Sequence, residues 1–173
     1  MLRKMGIIAV LSLMVTALAA VPAFADITLT QTPTVDASGN LTVSFQEVIP
    51  DPTYALNQTT IDYYLIGGSQ ATYVCLKKNG REPKGGPVIA GSVAQEVNAQ
   101  QRIIPTLIQD EAGNPASSYS GSFSVSPPPP TNLSCPKGLK LFLGFVSYDG
   151  LQLVNPTFGT TTPIPGPITR VFP

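Results

Sequence analysis

The chain has 173 residues, with ten Lys and Arg, ten Asp and Glu, and neither histidine nor tryptophan. The absence of histidine excludes Ser-His-Asp and Cys-His catalysis and removes the commonest zinc ligand. A near-neutral net charge gives no electrostatic reason to expect nucleic acid as a partner. Charged residues make up only 12% of the chain, so uncharged polar residues must form most of the solvated surface.

The N-terminus has the three-part layout of a secretory signal peptide. Arg3 and Lys4 give a positive start, residues 5–20 form an apolar stretch, and Ala23-Phe24-Ala25 suits a signal peptidase. An uncleaved transmembrane anchor is the alternative, because the apolar run is nearly long enough to span a bilayer. We expect cleavage after residue 25, leaving one domain of residues 26–173 that is secreted, extracellular or held at the cell surface.

Cys75 and Cys135 are the only cysteines, and both lie in the part that we expect to be exported. In an oxidising compartment an isolated pair is most simply a disulfide. Closing a loop of about 60 residues should stabilise the fold by roughly 4 kcal/mol in the chain-entropy model. A redox or metal-ligating pair is disfavoured because the chain has no CxxC spacing, no histidine and no further thiol.

Alternating and β-branched runs predict strands along the rest of the chain. Residues 27–30 and 41–48 alternate with a period of two and predict the first hairpin. Gly67-Gly68-Ser69 resembles a turn and is predicted to separate a strand at 60–66 from one at 71–78. Asp149-Gly150 is predicted to turn the chain in the same way. The remaining predicted strands are 88–97, 102–108, 118–126, 139–148, 151–154 and 167–172.

The predicted fold class is all-β, an immunoglobulin-like two-sheet sandwich with one disulfide. Short strands at intervals near ten residues, separated by 18 prolines and 15 glycines, favour this architecture. A closed barrel is the alternative. No segment has the periodicity of an amphipathic helix over three turns, and only 92–101 has modest helical potential.

Several short motifs carry a resemblance to known proteins. They are the blocks 71–75 and 78–80, then 134–138, 146–148 and 163–167. With these motifs the chain resembles a group of small secreted bacterial disulfide-linked β-sandwich proteins of uncharacterised function. It departs from the group in having Lys137 where a proline is common. The resemblance implies a disulfide-linked β-sandwich and supplies no activity.

The densest charge lies in residues 77–84, on a predicted hairpin tip. Lys77, Lys78, Arg81 and Lys84 could bind an acidic polysaccharide, a cell-envelope polymer or a phosphate-bearing surface. The alternative is a tip that only keeps the protein soluble. No aromatic residue is interleaved for base stacking, which argues against nucleic acid.

Six tyrosines supply amphipathic rings of the kind from which sugar-binding platforms are made, and Tyr63 and Tyr64 are the candidates within a predicted strand. Asp110 and Glu111, with Asn114, could in principle supply paired carboxylates or calcium ligands, but the spacing of a dedicated calcium loop is absent. We therefore expect no metal and no cofactor.

These observations predict a non-catalytic protein that acts by binding or by structural association. One alternative is a carbohydrate- or envelope-polymer-binding module that uses tyrosines and the 77–84 tip. The other is a self-assembling surface or filament subunit that pairs through an uncovered edge strand.

Overall fold

The computed structural model describes residues 26–172, so the signal-peptide prediction for residues 1–25 lies outside the described residues. The described chain is almost entirely β, as predicted, and folds into two antiparallel sheets with one short helix, α1 (Thr53–Leu56). The strands, in chain order, are β1 (Ile27–Leu29), β2 (Thr34–Val35), β3 (Leu41–Ile49), β4 (Ile61–Lys77), β5 (Val88–Ile103), β6 (Thr106–Gln109), β7 (Pro115–Val125), β8 (Leu139–Asn155), β9 (Thr160–Pro163) and β10 (Ile168–Val171).

The two sheets differ in the length of their strands. The short sheet has the order β1-β3-β7-β6, with β2 also paired to β3. The long sheet has the order β10-β8-β4-β5, with β9 also paired to β8. The predicted pairing of the first two strands is confirmed, since β1 lies antiparallel to β3.

The core lies between the inner faces of the two sheets. Strand β3 alternates strictly, so that Leu41, Val43 and Phe45 are buried while the residues between them reach the surface. The ring of Phe45 lies 4.9 Å from that of Tyr63 on the long sheet and 5.7 Å from that of Phe123 on its own sheet. These aromatic contacts join the two layers, and each ring buries a large apolar area.

The structure corrects the prediction that Gly67-Gly68-Ser69 is a hairpin turn. Strand β4 runs without interruption for 17 residues, about 55 Å of extended chain. Gly67 has φ of 153° and lies opposite a bulge in the neighbouring strand β8, and a Cβ on Gly67 would lie 2.8 Å from Leu151 Cδ2 and 2.9 Å from the Asp149 carbonyl oxygen. Glycine is therefore required for close approach of two strands, a role that leaves the same sequence signal as a turn.

The predicted turn at Asp149-Gly150 is wrong for the same reason. Strand β8 continues for 17 residues through this dipeptide and forms a bulge there: Gly68 pairs with Asp149 and Ile66 pairs with Gln152, so β8 has one residue more than β4 between the two pairs. Strand β5 joins the predicted strand 88–97 to the first two residues of the predicted strand 102–108 and ends before Pro105, while residues 106–108 belong to the separate strand β6. The segment 92–101, which had modest helical potential, lies within β5.

The β4–β5 hairpin extends beyond the core, and a loop covers its inner face there. This covering loop, residues 126–138, connects β7 to β8. The Tyr73 hydroxyl donates to the Pro128 carbonyl oxygen at 2.7 Å, and the side chain of Leu133 lies against Gly91. The tetraproline 127–130 therefore packs against the protein rather than standing free.

The predicted disulfide is present, and it fastens the covering loop to β4. Cys75 and Cys135 are joined with a Cα–Cα distance of 5.6 Å. In the immunoglobulin fold the bridge joins the two facing sheets. Here it joins a strand of the long sheet to the loop that enters the next strand of the same sheet, so the structure supports a two-sheet sandwich without this immunoglobulin feature.

Two hairpin loops of the short sheet share one design. Asp36 begins the loop before β3, Asp110 begins the loop before β7, and each is followed four residues later by an asparagine. In both loops Oδ1 of the aspartate accepts hydrogen bonds from two backbone N–H groups, at 2.7 to 3.0 Å. Such bonds are typical of aspartate in turns. The pKa of the Asp36 carboxyl group is lowered by the side-chain hydrogen bond from Asn40 and by these backbone bonds, and the pKa of Asp110 is lowered chiefly by the backbone bond from Asn114.

Candidate functional site

Basic residues are concentrated at the end of the molecule formed by the β4–β5 hairpin tip and the start of β8. We call this region the basic end. Its members are all exposed, and together they are six of the eight basic residues in 26–173: Lys77, Lys78, Arg81, Lys84, Lys137 and Lys140. Glu82 is the only acidic residue among them, so the formal charge of the basic end is 6 minus 1, or +5.

The rest of the protein carries the opposite charge. Between residues 26 and 173, two basic and nine acidic residues lie outside the basic end, so its formal charge is 2 minus 9, or −7. The near-neutral total therefore conceals a strong separation of charge along the molecule. A field of this kind steers and holds anions at one end and repels them from the other.

The disulfide and strand pairing bring together two segments that are distant in sequence. Lys77 follows Cys75 by two residues, and Lys137 follows Cys135 by two residues. Beyond the bridge the two segments run antiparallel in register, with Lys140 paired to Leu76 and Leu139 paired to Lys77. The covalent link thus holds Lys137 and Lys140 beside the hairpin tip.

A tight turn fixes the backbone of the tip. The Gly80 N–H donates to the Lys77 carbonyl oxygen at 2.8 Å, and the Lys77 N–H donates to the Arg81 carbonyl oxygen at 2.9 Å. Asn79 Oδ1 accepts from the Arg81 N–H at 3.2 Å, and Gly80 adopts φ of 76°, which glycine tolerates best. This Asn-Gly turn therefore defines the backbone positions of Lys78 and Arg81.

None of the six basic side chains forms an ion pair within residues 26–172. The ion pair that is present lies elsewhere, between Arg102 and Asp62 on paired positions of β5 and β4. It is bidentate, with both bonds at 2.9 Å, and the hydrogen bond from Arg102 lowers the pKa of Asp62. The cations of the basic end remain available for a ligand.

The structure separates the two tyrosines that were predicted as candidates. Tyr63 is 0% exposed, and its hydroxyl donates to Oε2 of Glu47 at 2.5 Å. The prediction that Tyr63 contributes to a ligand surface is corrected, because the ring lies in the core. Tyr64 points to the opposite, outer face of β4 and is half-buried. It stands 13 residues from Lys77 along one strand, about 40 Å away, so it does not belong to the basic end.

A tyrosine platform is not formed by the other rings either. Tyr73, Tyr119 and Tyr148 are buried, and each hydroxyl donates to a backbone carbonyl oxygen. Burial raises the pKa of Tyr119 and Tyr148 to about 12. Tyr54 is half-buried and packs edge-on against Phe158, with ring centroids 5.4 Å apart. The tyrosines therefore serve mainly as core residues with satisfied hydroxyls.

One buried acidic residue was not predicted from the sequence. Glu47 is 0% exposed and continues the inward series of β3. Its carboxylate accepts from Tyr63, from Asn155 Nδ2 at 2.6 Å and from the Thr160 hydroxyl at 3.0 Å. No cation balances it among these contacts. Burial and the bond to Glu47 raise the pKa of Tyr63. The arrangement joins the short sheet to β4, β8 and β9.

The acidic loop at residues 110–114 does not gather metal ligands. The carboxylate oxygens of Asp110 accept hydrogen bonds from the backbone of its own turn and from the Asn114 side chain, and Glu111 is exposed. Within residues 26–172, no group of three or more His, Cys, Asp or Glu side chains is placed to hold a metal ion.

These features define the protein as a disulfide-bonded two-sheet β protein with a charged end. The disulfide is compatible with an oxidising environment outside the cytoplasm. In the described part of the chain, no helix has the length and apolarity needed to cross a membrane. Comparison with protein-family models, curated proteins and solved structures gave no match.

Proposed function

We propose that this is an exported, non-catalytic binding protein whose basic end holds an anionic polymer of the cell envelope or its surroundings. The observation that carries the proposal is the separation of charge: six exposed cations without ion-pair partners lie at one end of an otherwise acidic molecule. Export is proposed from the signal-like N-terminus and is supported by the disulfide.

The geometry favours a polymer over a small anion. The cations arise from an exposed hairpin tip and the adjoining start of β8. Exposed lysines act as point charges, suited to a chain of spaced carboxylates or phosphates rather than to one deeply held group. The tip carries no aromatic side chain, which disfavours a ligand recognised through stacked bases.

A binding assay against soluble polyanions tests the proposal. Polygalacturonate supplies carboxylates, poly(glycerol phosphate) supplies phosphates, and neutral dextran is the uncharged control. Each exposed ion pair contributes about 0.2 to 1 kcal/mol, so the double substitution Lys77→Gln and Lys78→Gln should weaken binding about 2- to 30-fold at low salt. Binding should also decline as the Debye length shrinks from about 30 Å at 0.01 M to about 10 Å at 0.1 M salt.

The chain offers a control with the same change of net charge. Arg102→Gln with Arg170→Gln removes the two basic residues that lie outside the basic end. Binding by this variant should remain close to that of the wild type. Equal loss in both double variants would contradict a localised site, and absence of salt-sensitive binding to either polyanion would overturn the proposal.

A further inference from the structure

Strand β5 forms the longest free edge of the two sheets within residues 26–172. It has 16 residues and pairs with β4 alone, whereas the other terminal strands of the two sheets have at most four residues. Natural proteins usually protect such edges with Pro, several charges or a short length. Residues 88–103 contain no proline and only two charged side chains, Glu96 and Arg102.

The direction of the free backbone groups can be read from one contact. Ser69 Oγ donates to the carbonyl oxygen of Gln95, which therefore points toward β4. Backbone N–H and C=O groups alternate in direction along a strand. The groups of residues 96, 98, 100 and 102 consequently point away from β4, toward the free edge. Their side chains lie on the outer face and are exposed.

We propose that the β5 edge pairs with the β5 edge of a second copy of this chain, antiparallel about a two-fold axis at Ala99. In this register Glu96 lies opposite Arg102 of the second copy, and Asn98 lies opposite Gln100. Cross-strand pairs of opposite charge and of hydrogen-bonding amides stabilise such a junction. A two-fold at residue 96 would oppose two glutamates, and one at residue 102 would oppose two arginines. An axis at Ala99 is the one that places Glu96 directly opposite Arg102.

The same register also covers an apolar side chain. Ile104, which follows β5 directly, is 61% exposed. Antiparallel pairing about Ala99 places it opposite Ala94 of the second copy. The edge from 94 to 104 shares no residue with the basic end, so this inference stands independently of the proposed function, and the two copies would keep both basic ends free.

Site-directed cross-linking tests the register. At Ala99→Cys the two thiols face each other across the axis, and mild oxidation should give a covalent dimer in high yield. Gln95→Cys places a thiol on the same face of the same strand but away from the axis, and it should stay largely uncross-linked. Mass analysis should find the Cys75–Cys135 bridge intact in both. Equal cross-linking of the two variants would overturn the register.

Removing one edge donor tests the pairing itself. Asn98→Pro deletes an N–H that points to the free edge, while Asn98→Ala keeps the N–H and loses only the side chain. Sedimentation velocity from low micromolar to near-millimolar protein should show self-association of the wild type and of Asn98→Ala, and its loss in Asn98→Pro. A wild type that remains monomeric throughout would overturn the proposal, as would undiminished association of a folded Asn98→Pro variant.

Discussion

Replacing Tyr63 by phenylalanine measures how much the hydrogen bond to the buried carboxylate of Glu47 stabilises the fold. The substitution keeps the ring in the core and deletes the hydroxyl that donates to Oε2 at 2.5 Å. A hydrogen bond to a charged group contributes about 1.5 to 3 kcal/mol net, and a buried acceptor that loses a donor adds a desolvation cost. We expect the free energy of unfolding to fall by about 2 to 3 kcal/mol.

Tyr119 provides a matched control for this substitution. It is also 0% exposed, and its ring centroid lies 6.0 Å from that of Tyr63. Its hydroxyl donates at 2.8 Å to an uncharged acceptor, the Thr59 carbonyl oxygen. Tyr119→Phe should therefore cost only about 1 kcal/mol, the usual net value of a neutral hydrogen bond.

Urea denaturation of the wild type and the two variants measures the difference directly, provided that the m-values agree. In thermal unfolding, a domain of this size loses about 2 to 4 °C per kcal/mol, so Tyr63→Phe should melt about 4 to 12 °C lower than the wild type. Equal costs for the two substitutions, or a larger cost for Tyr119→Phe, would refute the argument that the carboxylate makes the Tyr63 hydrogen bond special.

Three further predictions concern stability. Replacing both cysteines by serine should lower the free energy of unfolding by about 4 kcal/mol, because the bridge closes a separation of 60 residues; a loss below about 1 kcal/mol in urea denaturation would contradict this. Tyrosine in an unfolded chain ionises near pH 10, whereas folded Tyr119 and Tyr148 ionise at about 12. The folding stability that these two buried tyrosines contribute is therefore intact below pH 10 and is lost between about pH 10 and 12. Phenolate absorbance and circular dichroism should show ionisation and unfolding together in this range. Ionisation of all tyrosines near pH 10 in a protein that stays folded would contradict this prediction. Gly67→Ala should lower the free energy of unfolding by about 2 kcal/mol or more, because the new Cβ meets Leu151 and the Asp149 carbonyl oxygen. Gly80→Ala, with open space around it, should lower it by about 1 kcal/mol. Similar melting temperatures of the two variants would contradict the close approach of β4 and β8 at Gly67.

Hydrophobic alternation was sufficient to predict much of the fold, but glycine signals were ambiguous. Residues 41–48 and 118–126 alternate cleanly because one face of each strand meets the core, and both strands were placed correctly. Gly67 and Gly150 were interpreted as turns, since a turn and a bulge both require unusual backbone angles. Only the pairing of β4 with β8, far apart in sequence, distinguishes the two, and a local pattern does not contain it.

The candidate site was partly visible in the sequence. Residues 77–84 stood out because their charges are contiguous. Lys137 and Lys140 were missed because their proximity depends on strand pairing and on the disulfide, although the matching two-residue offset of Lys77 and Lys137 from the cysteines was a usable signal. The inward position of Tyr63 could have been inferred from Asp62, whose charge marks the outer face that Tyr64 shares. Glu47 was missed because an acid in phase with core residues contradicts the usual rule for buried positions.

The location of polyanion binding tests the central claim most directly. In a titration of the ¹⁵N-labelled protein with polygalacturonate at low salt, amide signals of residues 77–84 and 137–140 should shift together with increasing ligand and return when salt is added. The amides around Tyr64 and Arg102 should remain in place. Shifts concentrated around Tyr64, or spread evenly over the molecule, would contradict a binding site at the basic end.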